Sequence, residues 1–297
     1  MKATVTLTPE ESRRFIAKAV AQMEIVKSAM RKGIVGLSLC TSSGYIAEEL
    51  LGKKIDMTLY CCGYIHKDGW CYMPPESRVG SNAGELVFEN GEPKWLRFPE
   101  ESISNYISKM GPEDVIVKSG NVRDIEGKVG SLLGDPDGGE AGRYIPHILG
   151  KGITLIVPTT INKTLPVQLD QLTSTMGTKA IPKKYSYGLI CGMMPLPGIV
   201  VTEIDAFKWL TNVEALPVAA GGFGSGAGCV SFLLQGTENE IENAWGLIGK
   251  IKGEPRLEDL VRDCRSCAAP TPASPLTCST RRKPRKRTSQ SAADERL

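Results

Sequence analysis

Two short runs of β-branched and apolar residues, at 115–117 and 153–157, constrain this chain more than any other feature. Each is too short for a helix and is bounded by Gly, Pro or a charged residue, so each reads as a strand. Both are apolar on successive positions rather than alternate ones, the pattern of parallel strands covered on two sides. Residues 141–150 leave room for a helix between them. The segment 114–158 therefore predicts a strand, a loop, a helix and a second strand, joined by a right-handed crossover. Ligands of open parallel sheets lie outside the carboxyl ends of the strands, which places residues 118–124 and 158–163 on one rim.

Upstream, Thr8-Pro9-Glu10-Glu11 is a helix start, with a capping hydroxyl, Pro in the first turn and early acids. Phe15, Ala19, Gln22 and Val26 follow at helical spacing and predict one helix to Met30, ended by Gly33. A buried strand at 34–40 leads through Thr41-Ser42-Ser43-Gly44 into a helix to about Leu51. Small hydroxyl residues at a helix N-terminus offer free N–H groups and a positive dipole end to an anion, although either serine can equally serve as a cap. Residues 55–60 read as a further strand before Cys61-Cys62-Gly63, and with only His66 close by this pair lacks the four ligands zinc usually takes. Residues 69–84 read as a loop or flap. Asn90-Gly91 predicts a type I′ hairpin between 85–88 and 94–98, followed by a helix over 99–110. Residues 187–194 read as another apolar strand.

Beyond the Pro-rich stretch at 194–198 the order strand, helix, strand, strand, helix predicts a small ferredoxin-like α+β unit lacking its last strand. Gly222, Gly224 and Ala227 match the letters of a dinucleotide-binding fingerprint, but a strand rather than a helix follows, so the run reads as a hairpin loop. Residues 255–297 have few core-forming side chains and read as a disordered tail with Cys264, Cys267 and Cys278. Those three thiols lack a fourth metal ligand, so no metal is expected. The tail also carries seven basic and two acidic residues over 281–297, which leaves a net charge of about −2 on the rest of a chain whose total is +3. A body of that charge is not expected to bind nucleic acid.

No run reaches the length of a membrane helix, and the N-terminal residues lack an apolar signal core, so the expectation is a cytoplasmic protein with no membrane partner. Nine cysteines, an odd number and partly in apolar runs, read as buried thiols. The expected division is an α/β domain at 1–197, an α+β unit at 198–254 and the tail.

Two motifs, CTSSGYIAEEL at 40–50 and DVIVKSGNVRDIEGKVGS at 114–131, carry a resemblance covering roughly residues 13 to 160. Together they resemble the superfamily of ribose-5-phosphate isomerase, glucosamine-6-phosphate deaminase, 5-methylthioribose-1-phosphate isomerase and the CoA transferases. The resemblance implies a three-layer α/β/α fold with a mostly parallel sheet and a pocket between the two loops. By position it implies that Thr41, Ser42, Ser43 and Gly44 hold an anionic group while Gly120, Asn121 and Asp124 line the reacting end. This chain has Ser119-Gly120-Asn121 where the isomerases have a Gly-Ala-Asp type motif. Glu89-Asn90-Gly91 has the letters of the CoA-transferase glutamate motif, but its Asn-Gly is better spent on the hairpin turn.

The expected function is an enzyme acting on a small anionic substrate, a sugar phosphate or CoA ester, by isomerase or transferase chemistry. Asp124 or Glu126 would be the general base, and Lys118 or Lys163 would steady an anionic end or a developing enolate. No cofactor is expected, with CoA entering only as substrate; a homo-oligomer is allowed. The alternative is a non-catalytic sensor of a small ligand, since fold alone does not decide activity.

Overall fold

The computed structural model describes residues 1–66, 69–72, 84–97 and 100–257. Expectations that fall on residues 73–83 and on the tail beyond 257, Cys264, Cys267 and Cys278 included, lie outside the described residues.

The chain opens with β1 (Lys2–Leu7), α1 (Pro9–Gln22) and α2 (Glu24–Lys32), followed by β2 (Ile34–Leu37) and α3 (Thr41–Leu51). Thr8 and Glu11 form the capping box that starts α1: Glu11 N–H donates to Thr8 Oγ1 at 3.2 Å and Thr8 N–H donates to Glu11 at 2.9 Å. The single helix expected to Met30 is broken at Met23, whose extended backbone turns α2 away from α1. Residues 55–60, expected as a strand, are irregular at 55 and 56 and turn over 57–60. Asp56 accepts from the backbone N–H of Thr58 at 2.9 Å, a local side-chain bond that competes with a strand ladder.

The next elements are β3 (Gly63–His66), β4 (Gly69–Tyr72), β5 (Leu86–Glu89), β6 (Glu92–Trp95) and the short α4 (Ser104–Ile107). Asn90 and Gly91 take positive φ values of 52° and 85°, the type I′ turn expected between β5 and β6. Then come β7 (Val115–Val117), β8 (Val122–Arg123), β9 (Val129–Leu133), α5 (Gly139–Lys151) and β10 (Thr154–Pro158). A three-residue 3-10 turn over Ile161–Lys163 precedes α6 (Leu169–Thr175). The chain continues through β11 (Gly192–Pro195), β12 (Ile199–Val201), α7 (Glu203–Thr211), β13 (Glu214–Gly221), β14 (Cys229–Gln235) and α8 (Glu238–Ile251).

A mixed sheet of order β12-β10-β7-β2-β5-β6 forms the centre, parallel from β12 to β2 and antiparallel across β5 and β6. Its strands alternate between two buried clusters. Val35, Leu37, Val115, Val117 and Ile156 face α1, α2 and α3, whereas Ile34, Ile116, Leu155 and Val157 face α4 and α5. Buried side chains thus lie on both sides of β2, β7 and β10, which suits the apolar runs in these strands. A smaller sheet, β8-β9-β11, rises from the loop between β7 and α5.

The C-terminal region differs from the expected unit. β12 joins the edge of the central sheet, and the strand that completes β14 and β13 is the N-terminal β1, with Val5 opposite Phe232. Phe15 of α1, Phe207 of α7 and Phe232 of β14 stack through this third cluster, with ring centroids 4.6 and 5.7 Å apart. Residues before and after position 197 share this cluster.

Arg14 ties the two regions. Its guanidinium donates to Glu254 through Nε and Nη2, both at 2.9 Å, to Glu49 at 3.0 Å and to Glu48, and it lies 4.6 Å over the Tyr45 ring. Glu48 is itself buried, so removing the cation would strand a carboxylate. Arg14→Ala is expected to cost about 3–5 kcal/mol in urea unfolding at pH 7; a loss below ~1 kcal/mol would mean that this network is not holding α1 to α3.

Candidate functional site

The parallel register decides which residues meet. Leu37 lies level with Val117, and Val117 with Ile156, so residues following β2, β7 and β10 emerge at one rim. β5 runs the other way, with Leu86 opposite Leu37, so Glu85 reaches that rim from the start of its strand. A cavity of about 510 Å³ opens there, lined among the described residues by Cys40 and Thr41, Glu85, Lys118 to Asn121, Glu140 and Lys163. That volume lies in the range of roughly 300–1,000 Å³ usual for small-molecule pockets.

Gly120 makes the close approach of β9 to the β7 loop feasible. A Cβ at this position would sit 2.1 Å from Val129 Cγ1 and 2.7 Å from the Gly130 carbonyl oxygen. Asn121 donates its backbone N–H to that carbonyl at 2.8 Å and accepts from Leu132 N–H through Oδ1 at 2.9 Å. Gly84 does the same service for Glu85, since a Cβ there would lie 1.5 Å from the Leu96 carbonyl oxygen.

A chain of buried polar groups forms one wall. Tyr144, wholly buried in α5, donates its hydroxyl to Glu85 Oε1, and Ile103 N–H donates to Glu85 Oε2 at 2.7 Å. Glu85 is hydrogen-bonded in turn to Glu140 in the first turn of α5, and Lys118 donates its ammonium to Glu140 Oε2. Two carboxyl groups sharing a buried site cannot both ionise cheaply. Burial, with Glu140 beside it, holds the Glu85 carboxyl well above the usual carboxylate range. Burial also opposes ionisation of Glu140, but the Lys118 charge and the hydrogen bonds from Glu85 and Lys118 outweigh it and bring the pKa down to about 2. For Lys118 burial works against the cation and Glu140 more than offsets it, so its pKa rises. One acid is thus protonated, one ionised, and one ammonium sits beside them.

Lys163 reaches the same cavity from the 3-10 turn after β10, with Nζ donating to the Gly120 carbonyl at 2.7 Å. Burial, with Arg13 contributing, lowers its pKa to about 8. Cys191 also lines the cavity, and burial raises its thiol to about 12, so it stays protonated. The six described cysteines are thiols, and among the described residues no group of three or more His, Cys, Asp or Glu side chains is placed to hold a metal.

The expected site residues divide sharply. Thr41, Lys118, Gly120, Asn121 and Lys163 line the cavity. Ser42, Ser43 and Gly44 do not: they turn into the core, where Ser43 meets the Cys40 thiol at 3.0 Å and a Cβ on Gly44 would lie 2.7 Å from Met57 Cε. Cys40, not a serine, caps α3, its sulfur accepting from Ser43 N–H at 3.3 Å.

Asp124 and Glu126 do not line this cavity. Asp124 is fully buried and its carboxylate accepts backbone N–H groups of Glu126 at 2.9 Å, Lys128 at 2.8 Å and Leu169 at 3.1 Å. Those donors keep its pKa low against the opposing effect of burial, and they hold it in the β8–β9 turn. Glu126 is paired with Lys128 at 2.8 Å on the outside of that turn. Glu89 pairs across the hairpin with Glu92 and binds Lys109 at 2.5 Å, away from the cavity.

Glu85 and Glu140 escaped the sequence reading because neither stands in a motif. Only the Gly-rich bend before α5 and the acid heading an apolar strand marked them. Compared with protein-family models, curated protein sequences and solved structures, the chain matches none at a significant level.

Glu85 and Glu140 affect stability with opposite signs. In the unfolded chain Glu85 ionises above about pH 4.3, whereas folded Glu85 keeps its proton, so stability falls as pH rises above that value. Glu140, lowered on folding, contributes stability above about pH 4.3 that is lost as pH falls toward 2. Glu85→Gln, which retains a donor toward Glu140, should therefore flatten the loss of stability between pH 5 and pH 8 in urea titrations. An unchanged slope would mean that Glu85 is ionised in the fold.

Proposed function

We propose that the cavity binds a small anionic substrate of the sugar-phosphate or CoA-ester type and catalyses proton transfer next to a carbonyl, as an isomerase or transferase. The observation that carries this reading is the pair Glu85 and Glu140, pushed in opposite directions on one cavity wall beside Lys118. Carboxyl groups whose environments drive their pKa values apart are the usual signature of an acid and a base set for one reaction. Glu140 is the carboxylate able to accept a proton from substrate carbon or oxygen. Lys118 places positive charge where an enolate oxygen would develop, and Glu85 holds a proton that can be relayed through Glu140. Arg143 adds positive charge at the cavity for the anionic end.

The reading keeps the resemblance to the ribose-5-phosphate isomerase and CoA-transferase superfamily and its three-layer fold. It is supported by the two helical faces of the central sheet and by the meeting of the loops after β2 and β7 at one rim. It replaces the acids after residue 121 with Glu85, just before β5, and Glu140 of α5. A second reading, a ligand sensor without turnover, draws on the full engagement of Glu85 by Tyr144 and Ile103, which suits a rigid wall as well as an acid.

Thermal-shift screening over sugar phosphates and CoA esters, followed by NMR of solvent deuterium entering the best ligand, separates the two. Catalysis requires exchange into the ligand, slowed by about 10²–10⁴-fold in Glu140→Gln. Binding without exchange would leave the sensor. Asp124→Ala is expected to lower stability by at least about 1–3 kcal/mol, through three stranded backbone donors, while the folded variant still exchanges the ligand. Loss of exchange in that folded variant would return Asp124 to the reaction.

A further inference from the structure

The two lysines of the cavity are held differently. Lys118 is spent on Glu140, an ion pair that fixes its charge and its direction. Lys163 has no carboxylate within ion-pair distance among the described residues; its ammonium rests on a single carbonyl oxygen, that of Gly120, at 2.7 Å. It is partly buried, it lines the same cavity as Glu85 and Glu140, and the backbone of its 3-10 turn is anchored by Ile161 N–H donating to the buried Glu203 at 2.9 Å. An amine removed from water and near another cation, with the charge of Glu203 opposing those effects only in part, is the environment in which lysine becomes a nucleophile.

We infer that Lys163 forms an imine with the carbonyl carbon of a small anionic aldehyde or ketone held in this cavity. This rests on the reading above in placing the carbonyl compound in the cavity, and it narrows the substrate class to one with a free carbonyl. The neutral Nζ adds its lone pair to the carbonyl carbon, and the carbonyl π pair moves to oxygen, which takes a proton to give a carbinolamine. Nζ then loses its remaining extra proton, the hydroxyl leaves as water with a proton from an acid such as Glu85, and the C=N bond is complete. Nothing is oxidised or reduced, and addition of water reverses the sequence. The imine withdraws electrons from the neighbouring carbon, from which Glu140 can take a proton.

Burial with the Arg13 charge supports the amine form, since a pKa of about 8 leaves it deprotonated far more often than an ordinary lysine. At pH 8 roughly half of Lys163 is free amine, against under about 1% for an unperturbed lysine.

The test uses pyridoxal 5′-phosphate, an aldehyde carrying a phosphate, at limiting concentration with the full chain at pH 8. Borohydride supplies the hydride that reduces an imine to a stable secondary amine, and peptide mapping locates the label. Label at Lys163 at least about tenfold above that at Lys118 or any exposed lysine is expected. The Lys163→Arg variant, which keeps the charge and a donor toward Gly120, should lose that label and keep a thermal shift with pyridoxal 5′-phosphate, without borohydride, that is smaller than that of the unaltered chain. Equal labelling of surface lysines, or a thermal shift with no Lys163 label, would overturn the imine and leave the proton-transfer reading standing. Absence of both shift and label would also overturn it. Label at Lys163 together with undiminished deuterium exchange in Glu140→Gln would keep the imine and remove Glu140 as the base.

Discussion

The parallel pairing of β2, β7 and β10 is the constraint on which the remainder depends. Side chains alternate along a strand, so a slip of one residue between β2 and β7 would exchange the two buried faces of the sheet. It would bring Val35 and Leu37 out of the cluster with α1 to α3 and leave Ile116 without α5. The same slip would displace Lys118 from Glu140. Core packing and site geometry are therefore specified by one register, and the apolar content of three short strands maintains both.

The polar wall of the cavity runs against the general economy of a protein interior. A buried acid must be hydrogen-bonded or neutral, and a buried pair of acids must share charge unequally. Here the solution uses five residues from four places in the chain. Tyr144 and the Ile103 amide hold Glu85, Glu85 stays protonated against Glu140, and Lys118 neutralises Glu140. Such an arrangement is less stabilising than an apolar core of the same volume would be. Under the proposed reading its value lies in chemistry, because protonated and ionised carboxyl groups stand side by side at the edge of a cavity.

Away from the cavity, Arg14 plays a corresponding part in architecture. It reaches carboxylates on α3 and on the segment after α8, residues separated from it by 34 and 240 positions. With the Phe15, Phe207 and Phe232 stack it joins the first helix to the last two. This explains why β1 is at home in a sheet with β13 and β14: α1, which follows it, is packed against both regions.

Local signals carried much of the architecture. The capping box at Thr8, the Asn90-Gly91 turn, the strands at 115 and 154 and the helix between them all follow from short-range rules on dihedrals, caps and apolar runs. Those rules also placed Lys118, Gly120, Asn121 and Lys163 on one rim, because strand direction in a parallel sheet determines which ends meet, whereas Thr41 was brought to it only by the family resemblance. They did not reveal that β12 would leave the C-terminal unit and β1 would enter it, since strand partnership is a matter of long-range packing. Nor could they distinguish an acid spent on backbone amides from one facing a cavity. Asp124 and Glu85 are both single carboxylates next to short strands in the sequence, and only the tertiary structure gives one three N–H donors and the other a neighbouring carboxylate. Residue type and spacing determine where a side chain can go; what surrounds it, and hence its proton, is decided when distant segments come together.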